Sequence, residues 1–151
     1  MFEERREKRL PEKEGVLFLI YKEGKVLLEE RLREDKAYYG YTIIPGGKVE
    51  KISGESHLEA AKREISEECG ICATDITRLD TFYNITISNN FYNTSAYLVT
   101  DYQGDIRNVE GKSRHLWVDI NEAPNIVSFA NDRYIILMAK LYLNETKLSV
   151  G

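Results

Sequence analysis

The chain has 151 residues, 42% of them apolar and 30% charged, which suits one soluble domain with a real core. Its 21 Lys and Arg against 25 Asp and Glu leave a net charge of −4, so it lacks the basic face that binding to a nucleic-acid polymer needs. No apolar run approaches about 18 residues, which excludes a membrane-spanning helix, and two cysteines are too few for a disulfide framework.

Met1–Glu14 is nearly all charge, without the apolar stretch of a secretory signal, and Met1–Lys13 is expected to be a solvated arm or a short frayed helix. Residues 14–151 show no repeat, linker or shift of composition and are expected to form a single domain, in a reducing cytoplasm. Gly15–Tyr21 is apolar enough for a buried strand, and Glu23-Gly24 turns it into a second strand over Lys25–Glu30. Tyr38–Ile44 reads as a strand that stops at the breaker Pro45-Gly46-Gly47.

A helix starts after Ser56, which has capping-box spacing to Glu59. Leu58, Ala61, Ile65 and Cys69 form its apolar stripe, and Gly70 ends it, with Ile71 as the apolar contact beyond. Ile76–Ile87 and Phe91–Tyr102 read as strands joined at Ser88-Asn89-Asn90. His115–Ile120 reads as a further strand and Asp132–Leu143 as a last helix. This order predicts an α/β (α+β) domain with helices packed on a mixed sheet.

The chemistry is concentrated in Arg63-Glu64-Ile65-Ser66-Glu67-Glu68-Cys69-Gly70-Ile71. Glu64, Glu67 and Glu68 stand at i, i+3 and i+4, so on a helix they are neighbours that repel. They also lie near the negative end of the helix dipole, where anions are disfavoured. A local rule broken without local gain points to a functional site. Clustered hard oxygen ligands on a rigid element suit Mg²⁺ or Mn²⁺. Ala60, one turn before Glu64, is expected to keep that face open. The bland alternative is a solvated acidic face. His57 and His115 are expected at the surface, and Cys69-x-x-Cys72 is read as a buried, inert thiol rather than a redox or zinc motif.

From Glu55 to Ile71 the chain matches each fixed position of the box that defines the Nudix family, and Pro45-Gly46-Gly47-Lys48-Val49-Glu50 resembles the loop that opens it. The departure is spacing. Seven residues rather than five separate Gly47 from Glu55, as if Ile52-Ser53 were inserted. The resemblance implies an α/β/α sandwich with a mixed sheet and a loop–helix–loop box. It implies metal ligands at Glu64, Glu67 and Glu68, with Glu64 also orienting or deprotonating the attacking water. It further implies a carbonyl ligand at Gly46, and Arg63 and Glu55 as residues that orient the carboxylates.

Outside the box the chain resembles the MutT-like nucleoside-triphosphate pyrophosphohydrolases. Glu110-Gly111 before Trp117 resembles the segment with an additional metal-binding Glu. Arg31 resembles a phosphate-contacting Arg, and Lys48 in the box loop is a second candidate substrate contact. Asn131 resembles an Asn that reads the purine, or else is a helix N-cap. The implied activity is metal-dependent hydrolysis of a nucleoside triphosphate, including an oxidised purine dNTP, to a monophosphate and pyrophosphate, by a monomer or homodimer. The alternatives are a nucleoside diphosphate-X hydrolase, acting on ADP-ribose or a dinucleoside polyphosphate, and a non-catalytic nucleotide sensor. The first lacks its downstream proline; the second usually loses box glutamates that are all kept here.

Overall fold

The computed structural model describes residues 10–32, 34 and 39–150. Seven strands run in chain order as β1 (Lys13–Lys22), β2 (Lys25–Arg31), β3 (Thr42–Ile43), β4 (Gly46–Lys48), β5 (Cys72–Ile85), β6 (Phe91–Gln103) and β7 (Ser113–Asp119). The helices are α1 (His57–Cys69), the short α2 (Ala123–Ile126) and α3 (Ala130–Val150). The expected strand over Tyr38–Ile44 is cut back to Thr42–Ile43; Tyr39 and Gly40 turn instead, and Tyr38 lies outside the described residues. The expected arm lies mostly outside them too, and Lys13 already belongs to β1.

The sheet runs β3-β2-β1-β6-β5, with β4 added to β1 and β7 to β2. Among the described residues only β1 and β6 pair in parallel; the other pairs are antiparallel, so the sheet is mixed. Glu23 and Gly24 both take positive φ at the β1–β2 turn, as the tightest hairpins require. The strand stops at Pro45 as expected, but the two glycines after it do not stay a loop. Gly46–Lys48 continues as β4 against Gly15–Leu17, and a side chain at Gly46 would land on the Val16 carbonyl oxygen.

Strand periodicity explains the uninterrupted apolar run of β1. Phe18 and Ile20 point one way, into a cluster with Leu27, Ile65, Cys69 and Ile71 under α1. Leu19 points the other way, into a cluster with Val26, Leu28, Ile135, Ile136 and Ala139 under α3. A strand covered on both faces reads as continuous hydrophobicity rather than alternation. The result is a helix–sheet–helix sandwich. No helix among the described residues is long and apolar enough to cross a membrane.

Candidate active site

Helix α1 is fixed at both ends. The Ser56 hydroxyl accepts from the Glu59 N–H and the Glu59 carboxylate accepts from the Ser56 N–H, each at 3.1 Å. Gly70 closes the far end in a left-handed conformation, its N–H on the Ser66 carbonyl. Ala61, Ile65 and Cys69 are buried as the stripe requires, but Leu58 is exposed. Ala60 does not keep an open face: it is fully buried against Val16 and Val49. His57 is no surface residue either. Its ring bridges Ser95 Oγ on β6 at 2.6 Å and Glu14 on β1 at 3.0 Å, tying the start of α1 to the sheet. His115 is half-buried, and burial pushes its pKa down.

Arg63 is the hub of the box. Its Nε donates to Glu55 at 2.7 Å and one terminal nitrogen to Glu55 and to the Lys48 carbonyl, at 3.0 and 2.9 Å. The other terminal nitrogen donates to Glu64 and Glu67, both at 3.1 Å. The hydrogen bond from Arg63 holds the Glu55 carboxyl below its usual range. The guanidinium thereby clamps the box loop to the carboxylate face through five donors in one plane.

The two extra residues are absorbed without disturbing this clamp. Lys51–Ser53 forms a single 3-10 turn, with Ile52 fully exposed at its tip. Below the turn the ends are pinned: Glu55 N–H donates to the Glu50 carbonyl, and Glu50 N–H to the Glu55 carboxylate at 3.0 Å. The insertion is an outward loop, and Glu55 keeps its place.

Four carboxylates converge beside the helix. Glu64 is mostly buried, and burial raises its pKa against the pull of Arg63. Glu68 is pushed up to about 9, first by burial and then by the charges of Glu29, Glu64 and Glu110. Glu110 arrives on a loop stitched to the end of α1, where Arg107 N–H donates to the Cys69 carbonyl and Val109 N–H to the Glu68 carbonyl. Glu67 is half-exposed at the rim. The box loop packs so closely that a side chain at Gly47 would land on the Glu64 carboxyl. Among the described residues no three acidic, His or Cys groups stand close enough to form a finished metal cage. The set is instead an open, all-oxygen array in which neighbouring carboxylates add to the raised pKa values of Glu64 and Glu68.

Next to this array lies a cleft of about 440 Å³, lined by Gly46, Lys48, Arg31 and Asn131 among others. Four of the residues singled out in the sequence therefore share one space. A much smaller cavity touches Glu68, Glu110 and Arg31. Glu29 lines both. It is 5% exposed and held by Ser113 Oγ at 2.9 Å and Arg31 at 3.3 Å. Glu29 carries no motif signal; its one trace in the sequence is an acidic residue directly after the buried run Val26-Leu27-Leu28.

Asn131 is the second residue of α3, whose first turn closes with Arg133 N–H on the Phe129 carbonyl, so it does not cap the helix. Its neighbour Asp132 is buried and accepts from the Ile44 N–H at 3.2 Å. The cysteines are both free. Cys69 is buried, which pushes its thiol up to about 12, while Cys72 is exposed.

An acidic helix face clamped by one arginine thus stands beside a cleft, with Glu29 and Arg31 lining both the cleft and the small cavity at Glu68. Residues 11–138 match the model of the NUDIX domain. The chain belongs to the Nudix family and is a MutT-like Nudix hydrolase, an enzyme class that is generally dependent on divalent metals. It is similar to a MutT Nudix hydrolase from Burkholderia pseudomallei, with 26% identity and a TM-score of 0.73 over 86% of this chain and 98% of that one. It is similar to a MutT structure from a study of the Aliivibrio salmonicida and Vibrio cholerae proteins, with 28% identity and a TM-score of 0.66 over 83% of this chain and 95% of that one. The Nudix domain of Shewanella oneidensis NrtR, solved with ADP ribose, shares the fold at 18% identity and a TM-score of 0.69 over 95% and 99%. A comparison with curated protein sequences gives no match.

Proposed function

We propose that this hydrolase cleaves a nucleoside triphosphate, with an oxidised purine deoxynucleotide as one candidate, to the monophosphate and pyrophosphate. The observation that carries this reading is that Glu29 and Arg31 line both the cleft and the smaller cavity that touches Glu68 and Glu110. A largely apolar space suited to a base thereby stands beside a place suited to phosphates. The likeness to MutT proteins at 26% and 28% identity supports the same reading.

The residues fit a hard divalent cation. Glu64, Glu67, Glu68, Glu110 and the Gly46 carbonyl offer oxygen only, and Glu29, Glu64 and Glu110 lie near enough to Glu68 for their charges to add to the rise that burial causes in its pKa. Mg²⁺ or Mn²⁺, when bound, neutralises phosphate charge and activates water. Arg63 and Glu55 orient the carboxylates, Glu64 aligns the attacking water, and Arg31 and Lys48 hold phosphate oxygens. The free thiols suit a reducing cytoplasm.

The test is a nucleotide panel with Mg²⁺, scored for pyrophosphate and monophosphate. Cleavage of triphosphates with one pyrophosphate per turnover supports the reading. Cleavage of ADP-ribose or dinucleoside polyphosphates alone would replace it with the diphosphate-X alternative, and binding without cleavage would replace it with a sensor.

A further inference from the structure

The far wall of the cleft carries a polar pair that the box chemistry leaves unused. Thr94 on β6 is 5% exposed, and its hydroxyl donates to the side-chain oxygen of Asn84 on β5 at 2.7 Å. Both residues line the cleft. In the sheet, Thr94 pairs with Phe82 and Asn84 with Tyr92. Phe82 and Asn84 therefore share one face of β5, and Tyr92 and Thr94 the matching face of β6. Gly15 makes room beside them: a side chain there would sit 3.2 Å from the Tyr92 ring.

Position separates this pair from the phosphate end. Gly15 pairs with Lys48 on one side and with Thr94 on the other, and Thr94 pairs in turn with Phe82. From Lys48 to β5 is three strand spacings, about 14 Å across the sheet. Over that span the lining changes from Lys48 and glycine backbone to Tyr92, Phe82, Ile85 and Ile87. A ligand with phosphates beside Lys48 would carry its base toward these rings.

The direction of the hydrogen bond sets what the amide offers. With its oxygen committed to the Thr94 hydroxyl, Asn84 has its N–H groups left for the cleft, and these only donate. A base edge that carries a carbonyl oxygen accepts from them. One that carries an amino group opposes donor to donor and leaves buried N–H groups unpaired, which is the costly arrangement. We propose that Asn84, oriented by Thr94, is a specificity-determining residue that selects a nucleobase presenting a carbonyl edge over one presenting an amino group there.

This proposal rests on the triphosphate reading, and the test separates the two. The full-length protein is assayed with dITP and dATP, which differ in a carbonyl against an amino group at the 6-position and in the adjoining N1, a donor in dITP and an acceptor in dATP. The wild type should favour dITP in kcat/KM by about tenfold or more. Asn84→Asp replaces the donors by acceptors and should erase or reverse the ratio. Thr94→Val keeps the shape but frees the amide to rotate, and should bring the ratio toward one. Melting temperatures check that both variants fold, and Thr94→Val carries the test if the aspartate does not. Cleavage of both nucleotides with an unchanged ratio in a folded variant, or a wild-type preference for dATP, overturns the role of Asn84 alone. Failure to cleave any triphosphate overturns both this role and the triphosphate reading.

Discussion

Asp132 gives a prediction that can be worked through in numbers. Its carboxyl is 6% exposed in the first turn of α3 and is pushed up to about 6 from 3.8, chiefly by burial. The Ile44 N–H pulls the other way and the charge of Glu29 adds to the rise. Because the folded-state pKa is the higher one, the unfolded chain gives up its proton first as pH rises. Stability is therefore withdrawn between about pH 4 and 6, and above that range the folded protein carries a penalised buried charge. A shift of about two units corresponds to about 3 kcal/mol, from which the favourable pull of the helix N-terminus takes back about 0.3–1 kcal/mol. Asn at this position still accepts from Ile44 and carries no charge. Asp132→Asn should thus be more stable than wild type by about 2 kcal/mol at pH 8, and the gain should fade near pH 4. Asp132→Ala strands the Ile44 N–H and should lose about 1–3 kcal/mol near pH 4, a loss that relief of the buried charge largely offsets by pH 8. Urea unfolding of the three proteins at pH 4.5, 6 and 8 measures this. An Asp132→Asn protein less stable than wild type at pH 8 would refute the reasoning, since the buried carboxylate would then be stabilised by its surroundings.

Gly47→Ala should leave the fold intact but drive the Glu64 carboxyl out of position, lowering kcat by about 100-fold; steady-state kinetics with a melting curve decide it. Arg63→Lys cannot serve Glu55, Lys48, Glu64 and Glu67 from one planar group, and should lose about 10–100-fold in activity together with some stability. Deleting Ile52 and Ser53 removes the outward turn above the Glu50–Glu55 bridge, so kcat/KM should stay within a few-fold of wild type. A large drop would show that the turn takes part in catalysis.

The parts of this molecule governed by local rules were legible in the sequence. The capping box at Ser56, the left-handed Gly70 and the carboxylate spacing of α1 all follow from helix geometry, and they stand in the structure as read. What escaped depends on contacts far along the chain. Ala60 and Leu58 exchange their expected exposures because α1 meets β1 and the box loop at an angle that periodicity alone does not fix. Nothing local marks the two glycines of Pro45-Gly46-Gly47 as the start of a strand until β1 is beside them to supply hydrogen bonds. His57 looks like a surface residue until Glu14 and Ser95, 43 and 38 positions away, close around its ring. Glu29, Asp132 and Asn84 belong to no spacing rule; each is defined by a partner on another element.

The central claim is that the carboxylates around α1 hold divalent cations for diphosphate hydrolysis. Its most direct test is Mn²⁺ binding, followed by electron paramagnetic resonance on the wild type and on Glu68→Gln. The array predicts binding by the wild type that weakens about tenfold or more in the variant, with hydrolysis lost and the metal-free melting temperature unchanged or raised, because like-charge repulsion is relieved. Equal Mn²⁺ binding by both proteins, or a variant that melts well below the wild type without metal, would contradict it.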